Sequence, residues 1–135
     1  MNIQNCLTED RAKLLLRLSV GILVLLHGIA KITNPGSVDF IGGLFNNFHL
    51  PAFLAYAVYI GEVVAPIMLI VGYRTKLAAG LISFTLFVAI ILAHLGDVFS
   101  LNDFGGWGIE LQAMFMLSAL AIVGLGAGKY AIDRQ

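Results

Sequence analysis

Charged side chains are scarce in this chain. Asp, Glu, Lys and Arg make up 12% of 135 residues, while 59% are hydrophobic and the mean hydropathy is +0.92. A soluble domain carries roughly 25% charged and about 45–50% apolar residues. So few charges cannot cover that much apolar surface in water, which excludes an ordinary soluble globule and makes lipid the expected solvent. An excess of either sign is lacking as well: eight basic residues balance eight acidic ones, so no basic face is offered to nucleic acid. Cysteine occurs once, as Cys6. A single cysteine forms neither an internal disulfide nor a CxxC pair. That excludes dithiol–disulfide chemistry run by this chain alone and leaves Cys6 an inert residue. Alternating short segments are missing too, which excludes a spanning β-barrel.

Four long apolar runs are present: 14–32, 52–72, 77–95 and 107–125. Each meets the roughly 17–25 residues a membrane-crossing helix needs. Turn chemistry separates them. Thr33-Asn34-Pro35-Gly36 closes the first, since proline cannot continue a helix. Gly72 through Lys76 is short enough to make helices two and three an antiparallel hairpin. Gly96-Asp97 through Gly105-Gly106 separates helices three and four. The expected fold is all-α: a polytopic membrane protein, one four-transmembrane-helix bundle spanning residues 1–135. The first apolar run is too long for a cleaved leader and lacks its cut site, so it reads as a retained helix.

Basic residues in short loops set orientation. Arg11, Lys13, Arg74, Lys76, Lys129 and Arg134 fall on one side, and Lys31 alone falls on the other, beside Asp39, Asp97 and Asp103. The expectation is a bacterial inner (plasma) membrane protein with both termini cytoplasmic. The first outer loop, residues 33–51, is oily for a solvated connection. Phe40, Ile41, Leu44, Phe45 and Phe48 recur at helical spacing, which fits an interfacial amphipathic helix. Such a helix either connects two spans or folds over the mouth of the bundle as a lid.

Ionisable groups inside spans cost roughly 2.5–3.5 kcal/mol each on insertion scales, so each requires a reason. Arg17 lies near the cytoplasmic end and is expected to snorkel as an anchor. His27, Lys31, Glu62, His94 and Glu110 come from all four helices and gather in the outer half of the bundle. These five form the candidate polar site; its catalytic residues are unknown and no metal is expected. His27 and Lys31 share one helix face, being four apart. Glu62 precedes Pro66 by four, so the Glu62 carbonyl loses its helical N–H partner, with a kink as one consequence. Ala57, Gly61 and Ala65 form a small-residue stripe that allows another helix close. Lys31 and Glu110 lie at similar depth and are expected to form a charge pair at the outer mouth. Plainer readings stand beside these. His27 suits a core histidine bonded to a carbonyl, His94 a headgroup contact, and Glu110 a first-turn acid. Trp107 suits an interface anchor. His27 before Ile60-Gly61-Glu62, and His94 before Gly108-Ile109-Glu110, form a faint internal echo.

At these residues the sequence resembles the DoxX family of bacterial membrane proteins. The resemblance runs from Arg17-Leu18 through His27-Gly28-Ile29-Ala30-Lys31, Gly61-Glu62, Pro66, Gly72 and Arg74. It continues through His94 and the Gly-Gly-Trp-Gly-Ile-Glu run, covering about residues 12–128. It implies a four-helix inner-membrane protein and a redox association, with no settled catalytic residues. His27, Lys31, Glu62 and Glu110 match family positions.

Two function classes follow. The first is a quinone- or quinol-linked membrane subunit of an oxidoreductase. An apolar slot would hold the ring, His27 and Glu62 would serve as donor and proton acceptor, and Lys31 would polarise an anionic form. The alternative is a non-catalytic scaffold or assembly factor for a partner protein. Transport of a small acid ranks last. The cofactor is undetermined: a quinone is compatible, and a haem held by His27 and His94 is disfavoured. The partners are the lipid bilayer and either other subunits or further copies of the chain, with no nucleic acid. The orientation is directly testable. A reporter fused after Gln135 is expected to read as cytoplasmic and one inserted near Ser37 as periplasmic; a periplasmic C-terminus would refute the even span count or its direction.

Overall fold

The structure is a computed structural model that describes residues 2–133. Met1, Arg134 and Gln135 lie outside the described residues, so the share of Arg134 in the basic side stays a sequence expectation. The described residues contain no strand, only a single bridge between Leu101 and Trp107. A short α1 (Ile3–Cys6) leads into α2 (Glu9–Thr33), followed by α3 (Gly36–Asn47). A helical run covers Ala52–Val71 and ends in α4 (Ala65–Val71). α5 (Thr75–Ala93) and α6 (Glu110–Leu125) complete the chain.

Length and apolarity set the solvent. α2 has 25 residues, the run Ala52–Val71 has 20 and α5 has 19, each long and apolar enough to cross a membrane. Leu26, Met114 and Leu117 are each more than half exposed on the outer surface of their helices, which is stable only against hydrocarbon. The chain is an all-α membrane protein. α6 is the short member, with 16 residues, because the glycine-rich run expected to open it is held in a turn instead. Asn102 Oδ1 accepts the N–H groups of Phe104 and Gly106 at 2.9 and 2.8 Å. Gly105 adopts a φ of 82°, in the left-handed region open to glycine. Trp107 Nε1 donates to the Val98 carbonyl at 2.6 Å, closing the loop across its base.

The run Ala52–Val71 is not a regular helix. It opens with a 3₁₀ stretch at Ala52–Ala57, widens into a π turn at Ile60–Val64 and continues as the α-helix α4 from Ala65. The Ala65 N–H donates to the Ile60 carbonyl, five residues back. Proline at 66 removes the donor that an α-helical Glu62 carbonyl needs. The extra residue in the turn absorbs that loss, as π turns do inside helices. The expected disturbance is therefore present, as a widened turn centred on Glu62.

Apolar packing is concentrated toward the end of the bundle where α4 turns into α5. Val20 and Val24 of α2, Leu69 of α4, Ile82 of α5 and Ile122 of α6 meet there, all nearly inaccessible. Arg17 sits at the floor of this core. Snorkelling was the expectation, and the structure corrects it: Arg17 is only 1% exposed. Its Nε donates to the Leu69 carbonyl at 3.1 Å and its Nη2 to Ile70 at 3.1 Å. Its Nη1 donates to Ala127 at 2.9 Å and to Tyr130 at 2.8 Å. Leu69 and Ile70 belong to the last turn of α4, whose carbonyls carry the negative end of the helix dipole; the Leu69 carbonyl also accepts the Gly72 N–H at 3.2 Å. A fixed fork of N–H groups matches them, which an ammonium cannot do as well. The tail is held alongside: the N–H groups of Ile132 and Asp133 donate to Val71 and Gly72, and that of Lys129 donates to Asp10 Oδ1.

Removing the fork orphans several buried carbonyls at roughly 1–3 kcal/mol each. Arg17→Met is expected to lower stability in detergent by about 2–5 kcal/mol and to open the segment after Leu125 to protease. Arg17→Lys is expected to restore less than half of that loss, because three donors on one nitrogen cannot span two chain segments. A tail equally resistant in all three proteins would overturn the clamp.

Candidate functional site

The half of the bundle beyond the apolar core, away from the turn between α4 and α5, encloses a cavity of about 840 Å³. Val24, Leu54, Phe84, Leu86, Leu111 and Phe115 give it largely apolar walls, and His27, Lys31, Glu62, Thr85, His94 and Gln112 give it a few polar points. That size and polarity suit an aromatic or similarly flat small molecule.

Lys31 and Glu62 meet at the wall. Lys31 Nζ donates to Glu62 Oε2 at 2.5 Å, with the carboxylate side chain 9% exposed and the lysine 23%. This replaces the expected pairing of Lys31 with Glu110. The reason lies in helix geometry. Side chains on a helix lean toward its N-terminus. Lys31, near the C-terminal end of α2, therefore reaches back along the bundle toward Glu62. Glu110 begins α6, is exposed and does not line the cavity. It stands as the first-turn acid of α6, where the positive end of the helix dipole favours it. The echo between Glu62 and Glu110 therefore joins two residues in unlike surroundings.

Two glycines bring Glu62 into place. A Cβ at Gly28 would overlap the carbonyl oxygen of Glu62, and a Cβ at Gly61 would overlap the Thr85 side chain. The π turn thus touches α2 on one side and α5 on the other, with no room for any larger residue. Gly61 is the part of the expected small-residue stripe that makes the helix contact. Ala65 is fully buried, and Ala57 lines the cavity. The Tyr59 hydroxyl, which donates to the Lys31 carbonyl at 3.4 Å, adds a further tie between the two helices.

The other polar points are distributed around the same cavity. His27, one turn before Lys31, packs edge-on against Phe115 of α6 with ring centroids 6.1 Å apart. His94 follows the last residue of α5 and is bonded on both nitrogens. Nδ1 lies 3.3 Å from Asp97 Oδ2, and Nε2 lies 3.2 Å from the amide nitrogen of Gln112. The structure thus brings His27, Lys31, Glu62 and His94 to one cavity and leaves Glu110 out. Gln112 and Thr85 were missed in the sequence. An amide in the first turn of an otherwise apolar α6 was the available signal for Gln112. Thr85 bonds its own helix through Leu81 and gave none.

The oily segment between the first two long helices forms α3, and it makes one wall of the cavity. Phe40, Ile41, Leu44 and Phe45 line it, while Phe48 does not. Gly42 packs near Ala52 at the start of the next helical run. α3 therefore folds over the bundle rather than merely linking two spans.

The Lys31–Glu62 pair makes a non-additive prediction. Deleting one partner of a buried ion pair costs roughly 3–5 kcal/mol, while replacing both with apolar residues can be near neutral. Lys31→Met and Glu62→Met are each expected to destabilise the protein in detergent more than the double variant does, with coupling above about 1 kcal/mol. The cycle of Lys31 with Glu110 is expected to show coupling below about 0.5 kcal/mol. The opposite ranking would refute the pairing.

Comparison with known proteins identifies the family. The DoxX family profile matches residues 12–95, which include Arg17, Gly28, Lys31, Glu62 and the whole of α5. A protein of Bacillus subtilis (strain 168) named "Putative oxidoreductase CatD" is 28% identical over 121 residues, covering 89% of this chain and 83% of the relative. No solved structure matches the chain. A match over more than half of the chain, including both charged clamps of α2, makes this protein a member of the DoxX family.

Proposed function

We propose that the protein is a quinone- or quinol-binding membrane subunit of an oxidoreductase system. One observation carries the reading: a largely apolar cavity of about 840 Å³ has a lysine–carboxylate pair on its wall and a second polar group, His94 with Gln112, in its lining. A quinone ring needs apolar walls and a polar partner for each of its two oxygens. Lys31 suits the first oxygen, since its ammonium stabilises negative charge gained on reduction. Glu62 is its natural proton partner, being a carboxylate in hydrogen-bond contact with the same ammonium. The name of the Bacillus relative points the same way without specifying a substrate.

A haem between His27 and His94 has less support. Both nitrogens of His94 are already engaged by Asp97 and Gln112, and an iron ligand needs one of them free. Four membrane crossings, counting the short α6, would return both termini to the basic side. That fits insertion in a bacterial inner membrane with cytoplasmic ends.

The test is direct binding of a short-chain benzoquinone to the purified protein in nanodiscs. Glu62→Gln keeps an acceptor for Lys31 and is expected to preserve insertion and folding. It is also expected to weaken quinone binding by more than about tenfold, the equivalent of about 1.4 kcal/mol. Absence of binding to the native protein, or unchanged binding in Glu62→Gln, would remove this reading. It would favour a scaffold whose charges serve only to hold the helices together.

A further inference from the structure

The chain Asp97–His94–Gln112 has a property that the Lys31–Glu62 pair lacks. It can reverse the polarity that one side chain offers the cavity. Asp97 is exposed, and a carboxylate only accepts hydrogen bonds. The 3.3 Å contact therefore requires a proton on Nδ1 of His94 in both charge states of the ring. All of the choice then falls on Nε2, which faces Gln112 at 3.2 Å. When His94 is neutral, Nε2 carries a lone pair and must face the amide NH₂ of Gln112. When His94 is protonated, Nε2 carries a hydrogen and must face the amide oxygen. An amide has one end of each kind, so a half-turn of Gln112 exchanges the end opposed to His94 for the end left over.

Resting on the quinone reading above, we propose that Gln112 selects the oxidation state of the ligand, with the protonation of His94 deciding which state is favoured. With neutral His94, the leftover carboxamide oxygen accepts from the O–H of a hydroquinone. With protonated His94, the leftover NH₂ donates to the carbonyl of a quinone. Both His94 and Gln112 line the cavity, so the leftover end has the ligand space beside it. By linkage, hydroquinone binding depresses the affinity of His94 for its proton and quinone binding raises it. The device concerns binding alone and requires no electron acceptor. The other ionisable groups on the cavity are His27, Lys31 and Glu62. Lys31 and Glu62 satisfy one another, and His27 is the second imidazole on the cavity wall.

The experiment measures dissociation constants of a short-chain benzoquinone and its hydroquinone between about pH 5 and pH 8, the range in which histidine changes charge. In the native protein the preference for quinone over hydroquinone is expected to fall by about fivefold across that range, the effect of one hydrogen bond gained or lost. Gln112→Met, similar in length but without an amide, is expected to bind both forms with a pH-independent ratio. His94→Gln is expected to flatten the ratio as well, whereas His27→Gln is expected to leave it sloping. Binding of both forms with a flat native ratio, or a slope that survives in Gln112→Met, would overturn the selector and leave the quinone site standing. Failure of both forms to bind would overturn the site and the selector together. A ligand-free measurement adds an independent criterion. In ¹⁵N-histidine spectra recorded at about pH 8, the alkaline end of the histidine range, the resonance lost in His94→Gln is expected to report a neutral ring with its proton on Nδ1, and a neutral ring with its proton on Nε2 would overturn the proposal by itself.

Discussion

The packing of α2 against the irregular helix Ala52–Val71 is the contact on which the rest of the bundle depends. Of the cations of α2, Arg17 and Lys31 both find partners on that one neighbour. Arg17 meets carbonyls at the end of α4, and Lys31 meets the carboxylate of Glu62 in the π turn. Arg17 is closed off from solvent and Lys31 is only partly accessible, and a membrane interior leaves buried polar groups to be satisfied by the protein. The helices therefore cannot slide or rotate past one another without stranding a charge. Gly28 sets the separation between these two ties, since any side chain there would collide with the backbone of Glu62.

The two ties are built differently, and the difference matches what lies around them. Arg17 bonds only to backbone, is closed off on every side and gathers the C-terminal segment beneath the bundle. Its surroundings are the packed apolar core. Lys31 and Glu62 are both titratable side chains and lie on the wall of the cavity. A backbone carbonyl cannot change its charge, whereas a carboxylate can take up a proton. The same helix pair thus holds a fixed anchor at one end and groups capable of proton chemistry at the other.

Space for the cavity also comes from that pair. A regular helix from Ala52 to Val71 would keep an unbroken cylinder against its neighbours. The 3₁₀ opening and the π turn interrupt it instead, and α3 walls the cavity. The histidine at the end of α5 and the amide on α6 complete the polar lining. His94 gains its orientation from Asp97 in the following turn, so a loop residue that does not line the cavity controls one that does.

Much of this was readable from the residues alone. Apolar runs and turn signals established a helical membrane protein, because hydropathy and proline chemistry act locally. The cost of an intramembrane charge singled out His27, Lys31, Glu62 and His94, and with them Glu110, which does not line the cavity. Pro66 was enough to place a disturbed turn at Glu62, since the missing N–H is a property of the residue itself. Partner choice was decided only in three dimensions. Depth along a straight helix matched Lys31 with Glu110, whereas the backward lean of helical side chains and the close approach at Gly28 gave Lys31 to Glu62. Arg17 looked like an interfacial anchor because the backbone carbonyls that bind it come from residues 69, 70, 127 and 130 and leave no trace in side-chain pattern. Gln112 was invisible for the same reason: an amide acquires a role only through what faces it, and His94 is 18 residues away in the chain. Composition and local chemistry determined the solvent, the helices and which charges needed partners; the tertiary packing decided which partner each one found.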